Sequence, residues 1–212
     1  MKDKVKVSGR LTDFDGNPMP NGDVKMLDKA FNFVSETKTD EDGKYELHVR
    51  KGLYMGLIGV KGYGTANLEG WAWNIPATAD MEIDMRIDGL ELYALNAFIP
   101  QGAHPQIMLY FRPMSLKRLQ RLRQEGSNEL ERIAPELQAE DIQVWVNDSP
   151  AKVLYVNRVL EATDQTPILG YLISVAKPNL TTDSYNKIYI VATDNETGEK
   201  GEASLFWKPD FV

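Results

Sequence analysis

Val5-Lys6-Val7-Ser8-Gly9-Arg10-Leu11 alternates side-chain character and runs into Asp13-Phe14-Asp15-Gly16-Asn17-Pro18. A period of two marks a strand with one buried face, and Asp-Gly followed by Pro ends it in a turn. The phrase returns at Thr39-Asp40-Glu41-Asp42-Gly43-Lys44-Tyr45, after which Tyr45, Leu47 and Val49 share one face and Glu46, His48 and Arg50 the other. Gly43 falls where a hairpin needs a positive φ. Gly52-Leu53-Tyr54 then opens an apolar strand that continues to Val60. Between these, Pro18 and Pro20 keep the chain irregular because neither donates to a ladder. Val24, Met26 and the Phe31–Val34 segment supply further strands.

Working outward, Gly62-Tyr63-Gly64-Thr65 is too glycine-rich for a sheet interior. Met81, Ile83, Met85 and Ile87 alternate strictly with Glu82, Asp84, Arg86 and Asp88, the clearest half-buried strand in the chain. Asp88-Gly89 then reads as a domain boundary, dividing residues 1–88 from residues 89–212. In the second part, Leu90–Ile99 and Gln106–Phe111 are strand-like. The period changes at about 114–138, where Leu116, Leu119 and Leu122 predict a helix that Gly126 interrupts. Ile142, Val144 and Val146 restart the strand period. Lys152–Leu160, Ile168–Val175, Ile188–Thr193 and Ala203–Trp207 follow. The expected fold class is all-β: two β-sandwich domains, the second immunoglobulin-like by pattern with a short helical insertion.

Val7-Ser8-Gly9-Arg10, Asp15-Gly16-Asn17-Pro18, Gly22-Asp23-Val24, Thr39 to Tyr45 and Gly52-Leu53-Tyr54, in this order, resemble the carboxypeptidase regulatory-like domain, a small transthyretin-like β-sandwich. The resemblance covers fewer than half of the residues. It implies a non-catalytic accessory module, of a kind often attached to exported enzymes, surface proteins or outer-membrane assemblies, with no catalytic residues to carry over. Tyr63–Ala79, holding Trp71 and Trp73, departs from the family's short finish.

Composition narrows the function classes. A formal charge of −7 argues against a nucleic-acid binder, which needs concentrated positive charge. With no cysteine, disulfides, thiolate metal sites and cysteine nucleophiles are excluded. No apolar run reaches the ~18 residues that a membrane-spanning helix needs. Met1-Lys2-Asp3-Lys4 enters a strand with no apolar signal region behind it. Either the protein is cytoplasmic, or a leader has been trimmed and it is exported to the periplasm or cell surface.

Three sets of residues carry candidate chemistry. Trp71 and Trp73, two apart on a strand, point the same way and with Tyr63 make an aromatic platform for a sugar ring, set against the plainer reading of core or interdomain packing. Asp13, Asp15, Asp40 and Asp42 are the candidate calcium ligands, set against ordinary turn chemistry. His48 and His104 are too isolated in sequence for a zinc site, and no Gly-x-Ser-x-Gly elbow is present. Lys117, Arg118 and Arg121 form one side of the helix and read as a solvated face. No cofactor is expected. The chain reads as an accessory, adhesion or scaffolding module with a protein or polysaccharide partner, and weak self-association through an edge strand. A carbohydrate-binding module is the first alternative, and a hydrolase using dispersed carboxylates the second.

Overall fold

The computed structural model describes residues 3–100, 102, 106–163, 166–176, 178–181 and 183–209. Its first part holds β1 (Lys4–Thr12), β2 (Asp23–Leu27), β3 (Phe33–Lys38), β4 (Lys44–Arg50), β5 (Gly52–Val60), β6 (Gly70–Ala77), β7 (Met81–Glu82) and β8 (Met85–Arg86). Its second holds β9 (Leu90–Phe98), β10 (Gln106–Ser115), α1 (Leu116–Glu125), β11 (Ile142–Val146), β12 (Ser149–Ala151), β13 (Val153–Glu161), β14 (Ile168–Ala176), β15 (Asn186–Thr193) and β16 (Lys200–Trp207). Short 3-10 turns at Leu130–Ile133 and Ala139–Asp141 link α1 to β11. The molecule is all-β with one α-helix among the described residues, as its periodicities predict.

One sheet runs through both parts in the order β12-β11-β15-β16-β6-β5-β2-β3, because β6 pairs in parallel with β16 through Trp71 to Trp73 opposite Ala203 to Leu205. Its two faces are covered by different sheets. On one face, β4-β1-β7, with β8 also on β1, closes a core of Val7, Leu11, Leu47, Ile83 and Met85 against Val24, Met26, Leu57 and Ala72. On the other, β13-β14-β10-β9 closes a larger core of Leu92, Leu109, Phe111, Tyr171 and Ile173 against Ile58, Trp71, Trp73, Ile188, Ile190 and Leu205. Ala72 thus feeds one core while Trp71 and Trp73 feed the other, as alternation on a strand requires. The two sandwiches are offset along a shared sheet. That offset leaves β11 and β15 partly open on the face that carries the first core, while Glu202 and Ser204 of β16 are buried there.

Several local details follow from single residues. The strand expected over Met81–Ile87 keeps its buried face, yet its backbone is broken into β7 and β8, both parallel to β1. Asp80 and Asp84 supply acceptors to the backbone N–H groups of Lys6 and Arg10, each at 2.8 Å, in place of ladder carbonyls. Gly9 allows the close approach, since a Cβ there would lie 2.0 Å from the Ile83 carbonyl oxygen. Strand β3 begins later than the Phe31–Val34 reading. Asp28 Oδ1 accepts from the N–H groups of Ala30 and Asn32, so Phe31 sits in a turn at φ 61°.

The helix starts at Ser115, whose hydroxyl accepts from Arg118 N–H at 3.2 Å, and stops at Gly126 in the left-handed conformation. Its basic side is exposed at Lys117 and Arg121, as a solvated face would be, and departs from that expectation at Arg118. Arg118 donates to both carboxylate oxygens of Asp194, at 2.8 and 3.2 Å, and also to Glu196. Arg121 pairs with Glu196, and Lys117 Nζ donates to the Thr197 carbonyl. This face therefore clamps the hairpin between β15 and β16. At Asp88-Gly89 the chain is pinned rather than loose. Leu116 N–H donates to the Gly89 carbonyl, Lys200 N–H to Asp88, and a Cβ on Gly89 would lie 2.0 Å from the Glu199 carboxylate.

Candidate functional site

The structure redistributes the residues that the sequence singles out. Trp71 and Trp73 do stack, with ring centroids 4.4 Å apart and planes 8° from parallel, but each is only 5% exposed. Tyr93 of β9 sets its edge against both, at 5.2 and 5.3 Å. The second sandwich therefore covers the ring faces that a sugar would need. The expectation of a platform there is corrected in favour of packing between the two halves. Tyr63 stands apart on its turn, 58% exposed, and no ring contact joins it to either tryptophan among the described residues.

The acidic turns use their carboxylates locally. Asp13 Oδ1 accepts from the N–H groups of Asp15 and Asn17, and Oδ2 from the Asn17 amide. Those bonds overcome the opposing effect of burial and hold its carboxyl below the usual range. Asp40 Oδ1 accepts from Asp42 and Lys44 N–H groups, while Asp42 pairs with Lys44 Nζ at 3.1 Å. Among the described residues no three His, Cys, Asp or Glu side chains gather as a metal ion requires. His48 lies on the exposed face of β4 beside Glu46, and His104 falls outside the described residues.

The candidate site lies on the partly open face of β11 and β15, beside β16, walled by β1, β8 and the Asp13–Asn17 turn. Trp145 on β11 stands directly opposite Tyr189 on β15, with ring centroids 5.4 Å apart and planes 39° apart. Tyr189 is opposite Ser204 on β16, and Val191 is opposite Glu202. Arg86 reaches in from the first sandwich. Its backbone N–H and its Nε donate to the two oxygens of Glu202, at 2.7 and 2.6 Å, and its Nη2 donates to the Tyr189 hydroxyl. That hydroxyl in turn donates to Glu202. The guanidinium carbon sits 4.4 Å from the centre of the Phe14 ring and 6.0 Å from that of Tyr189.

Two troughs meet on this floor, and Arg86, Trp145 and Tyr189 line both. One, of about 600 Å³, also takes in Arg10, Thr12, Asp84, Asp148 and Lys187. The other, of about 620 Å³, takes in Phe14, Gln143, Thr193, Asn195 and Lys200. Both are within the size range of small-ligand sites.

Charge at the centre is settled internally. Burial disfavours the Arg86 cation, but the Glu202 charge and hydrogen bonds outweigh that and keep it protonated. Burial, with the Glu202 charge added, pushes the Tyr189 hydroxyl up, so it remains a neutral donor. Glu202, its side chain 7% exposed, already accepts from three donors and is no free base. The arrangement can hold a polar ligand against a rigid aromatic floor.

Sequence reasoning missed every residue of this centre. Arg86 and Glu202 are 116 positions apart, and Arg86 and Tyr189 are 103 apart. One signal was present: Trp145 lies out of phase with Ile142, Val144 and Val146, and Tyr189 with Ile188 and Ile190, which places one large aromatic on the outward face of each strand.

Comparison with known proteins bears on the first sandwich. Residues 6–86 match the family model of the carboxypeptidase regulatory-like domain. No curated protein matches the chain. Among solved structures, a Bacteroides uniformis ATCC 8492 protein provisionally described as carbohydrate binding shares 12% identity, with a TM-score of 0.33 over 96% of this chain and 98% of that one. BcpA, the major pilin subunit of Bacillus cereus, shares 12% identity at a TM-score of 0.30, covering 96% of this chain and 69% of its own. The full-length major pilin SpaD of Corynebacterium diphtheriae shares 9% at 0.30, covering 96% and 66%. Superpositions this loose bear on no functional question. The motifs, the paired sheets and the family match agree: residues 6–86 match the carboxypeptidase regulatory-like domain.

Proposed function

We propose that the chain is a non-catalytic accessory module that recognises carbohydrate in the trough over β11, β15 and β16. The observation that carries this reading is the Trp145–Tyr189 pair, set on an otherwise polar floor and flanked by fixed donors and acceptors. A pyranose ring offers one face of C–H groups to an aromatic surface, and a rim of hydroxyls that must both donate and accept. Arg10 and Lys187 supply donors at the rim, and Asp84, Asp148 and Gln143 supply acceptors. The Arg86–Tyr189–Glu202 network holds the floor in place before any ligand arrives, which lowers the entropy cost of binding. A regulatory-like first domain fits a role beside a catalytic or structural partner rather than as the enzyme.

Affinity electrophoresis through gels containing soluble polysaccharides tests this reading. The full chain is expected to be retarded by at least one polysaccharide, and Trp145→Ala to run at its unretarded mobility with an unchanged melting temperature. Equal retardation of both proteins would refute the site. No retardation across a broad panel would refute the ligand class.

A further inference from the structure

We infer that the trough accepts an internal segment of an uncharged glycan chain, lying across the Trp145–Tyr189 ridge with sugar units on both sides. This rests on the carbohydrate reading above and adds ligand charge and binding mode to it. Two observations carry it. The first is shape. The two troughs share Arg86, Trp145 and Tyr189, so a ligand filling both must cross the aromatic pair. Neither trough is an enclosed cavity.

The second is charge. In the first trough Arg10, Arg86 and Lys187 are balanced by Asp84, Asp148 and Glu202. The second adds Lys200 against Glu140 and Asp141, so the two troughs together hold four cations and five carboxylates. Arg86, the cation common to both troughs, is already bonded to Glu202, and a uronate or phosphate would have to compete with that carboxylate. A lining with one more carboxylate than cations gives no positive field for an anion, yet both signs offer donors and acceptors to hydroxyl groups. An uncharged, hydroxyl-rich chain can hydrogen-bond to groups of both signs and brings no further charge to the trough.

The test is a titration of the full chain, followed by tryptophan fluorescence and calorimetry, with ladders from disaccharide to octasaccharide. Neutral ladders are cello-, manno- and malto-oligosaccharides, and oligogalacturonates form the acidic arm. Expected is an affinity that rises about tenfold or more between the disaccharide and the hexasaccharide of one neutral ladder, then levels off. It should change less than about twofold between roughly 50 and 500 mM NaCl, where exposed ion pairing is screened. Gln143→Ala, in the second trough, should lower hexasaccharide affinity more than disaccharide affinity. Affinity independent of length would overturn the ridge-crossing mode. Preferential, salt-sensitive binding of oligogalacturonates would overturn the neutral ligand while leaving a saccharide site standing. If no ladder binds, the carbohydrate reading itself fails. The length and salt measurements use the unmodified protein, so a poorly folding variant cannot hide the answer.

Discussion

Glu91 offers a sharp test of how the two halves are joined. It is the second residue of β9, 1% exposed, and its carboxylate accepts from Trp71 Nε1 at 3.0 Å and from the Glu69 N–H at 3.4 Å. Burial, with the nearby Glu69 charge added, pushes its carboxyl up to about 8 from 4.5. The folded protein therefore holds a proton on Glu91 at neutral pH that the unfolded chain releases. Stability from this group is full below the unfolded value and is lost as pH rises through the folded one. Across that window the loss is about 1.4 kcal/mol per pH unit, or about 5 kcal/mol in all. Glu91→Gln keeps an acceptor for Trp71 and removes the titration. Urea unfolding of both proteins, followed by tryptophan fluorescence from pH 5 to pH 8, reads the difference directly. Wild type should lose about 3–4 kcal/mol relative to the variant over that range. Parallel profiles, or a wild type that gains on the variant as pH rises, would refute the reasoning.

Three further outcomes are expected. Gly9→Ala places a Cβ 2.0 Å from the Ile83 carbonyl oxygen and 3.0 Å from the Tyr45 hydroxyl, so it must displace the Ile83 backbone between β7 and β8. A loss of about 3 kcal/mol or more in denaturant melts is expected, and a loss below about 1 kcal/mol contradicts the close approach. Arg118→Ala leaves Asp194, its side chain 2% exposed, without its cation and should cost about 3 kcal/mol, with Arg118→Lys recovering part. Equal stability of the three proteins would show that the helix does not clamp the hairpin. Finally, β3 is an edge of the long sheet and exposes Phe33 and Val34, 57% and 47% accessible. Weak self-association there should be abolished by Val34→Lys in light scattering at high concentration, and a monomer mass for the parent protein would count against it.

Much of the architecture can be read along the chain because it is local. Val5 to Leu11, Tyr45 to Val49 and Ile142 to Val146 announce their buried faces by alternation alone. Gly43 and Gly126, at φ 74° and 66°, mark a hairpin and a helix end because a side chain is strained there. The errors fall where a distant partner decides. Met81–Ile87 reads as one strand, but its backbone bonds are set by Gly9 and by the Asp80 and Asp84 side chains. Trp71 and Trp73 look identical in sequence whether they face solvent or β9. Arg118 reads as solvated until Asp194 and Glu196 are folded against it.

The amino-acid order by itself determined which segments are strands, where they turn and which side chains point inward, since these depend on neighbours one to four residues away. The regulatory-like identity of residues 6–86 belongs to that level too. Only the tertiary structure decided that β6 lies parallel to β16 and that the two sandwiches share one sheet from opposite faces. The trough depends on that offset. Phe14, Arg86, Trp145, Tyr189 and Glu202 come from five separate segments, and no periodicity links residues whose proximity is set by strand pairing and the burial of two independent cores.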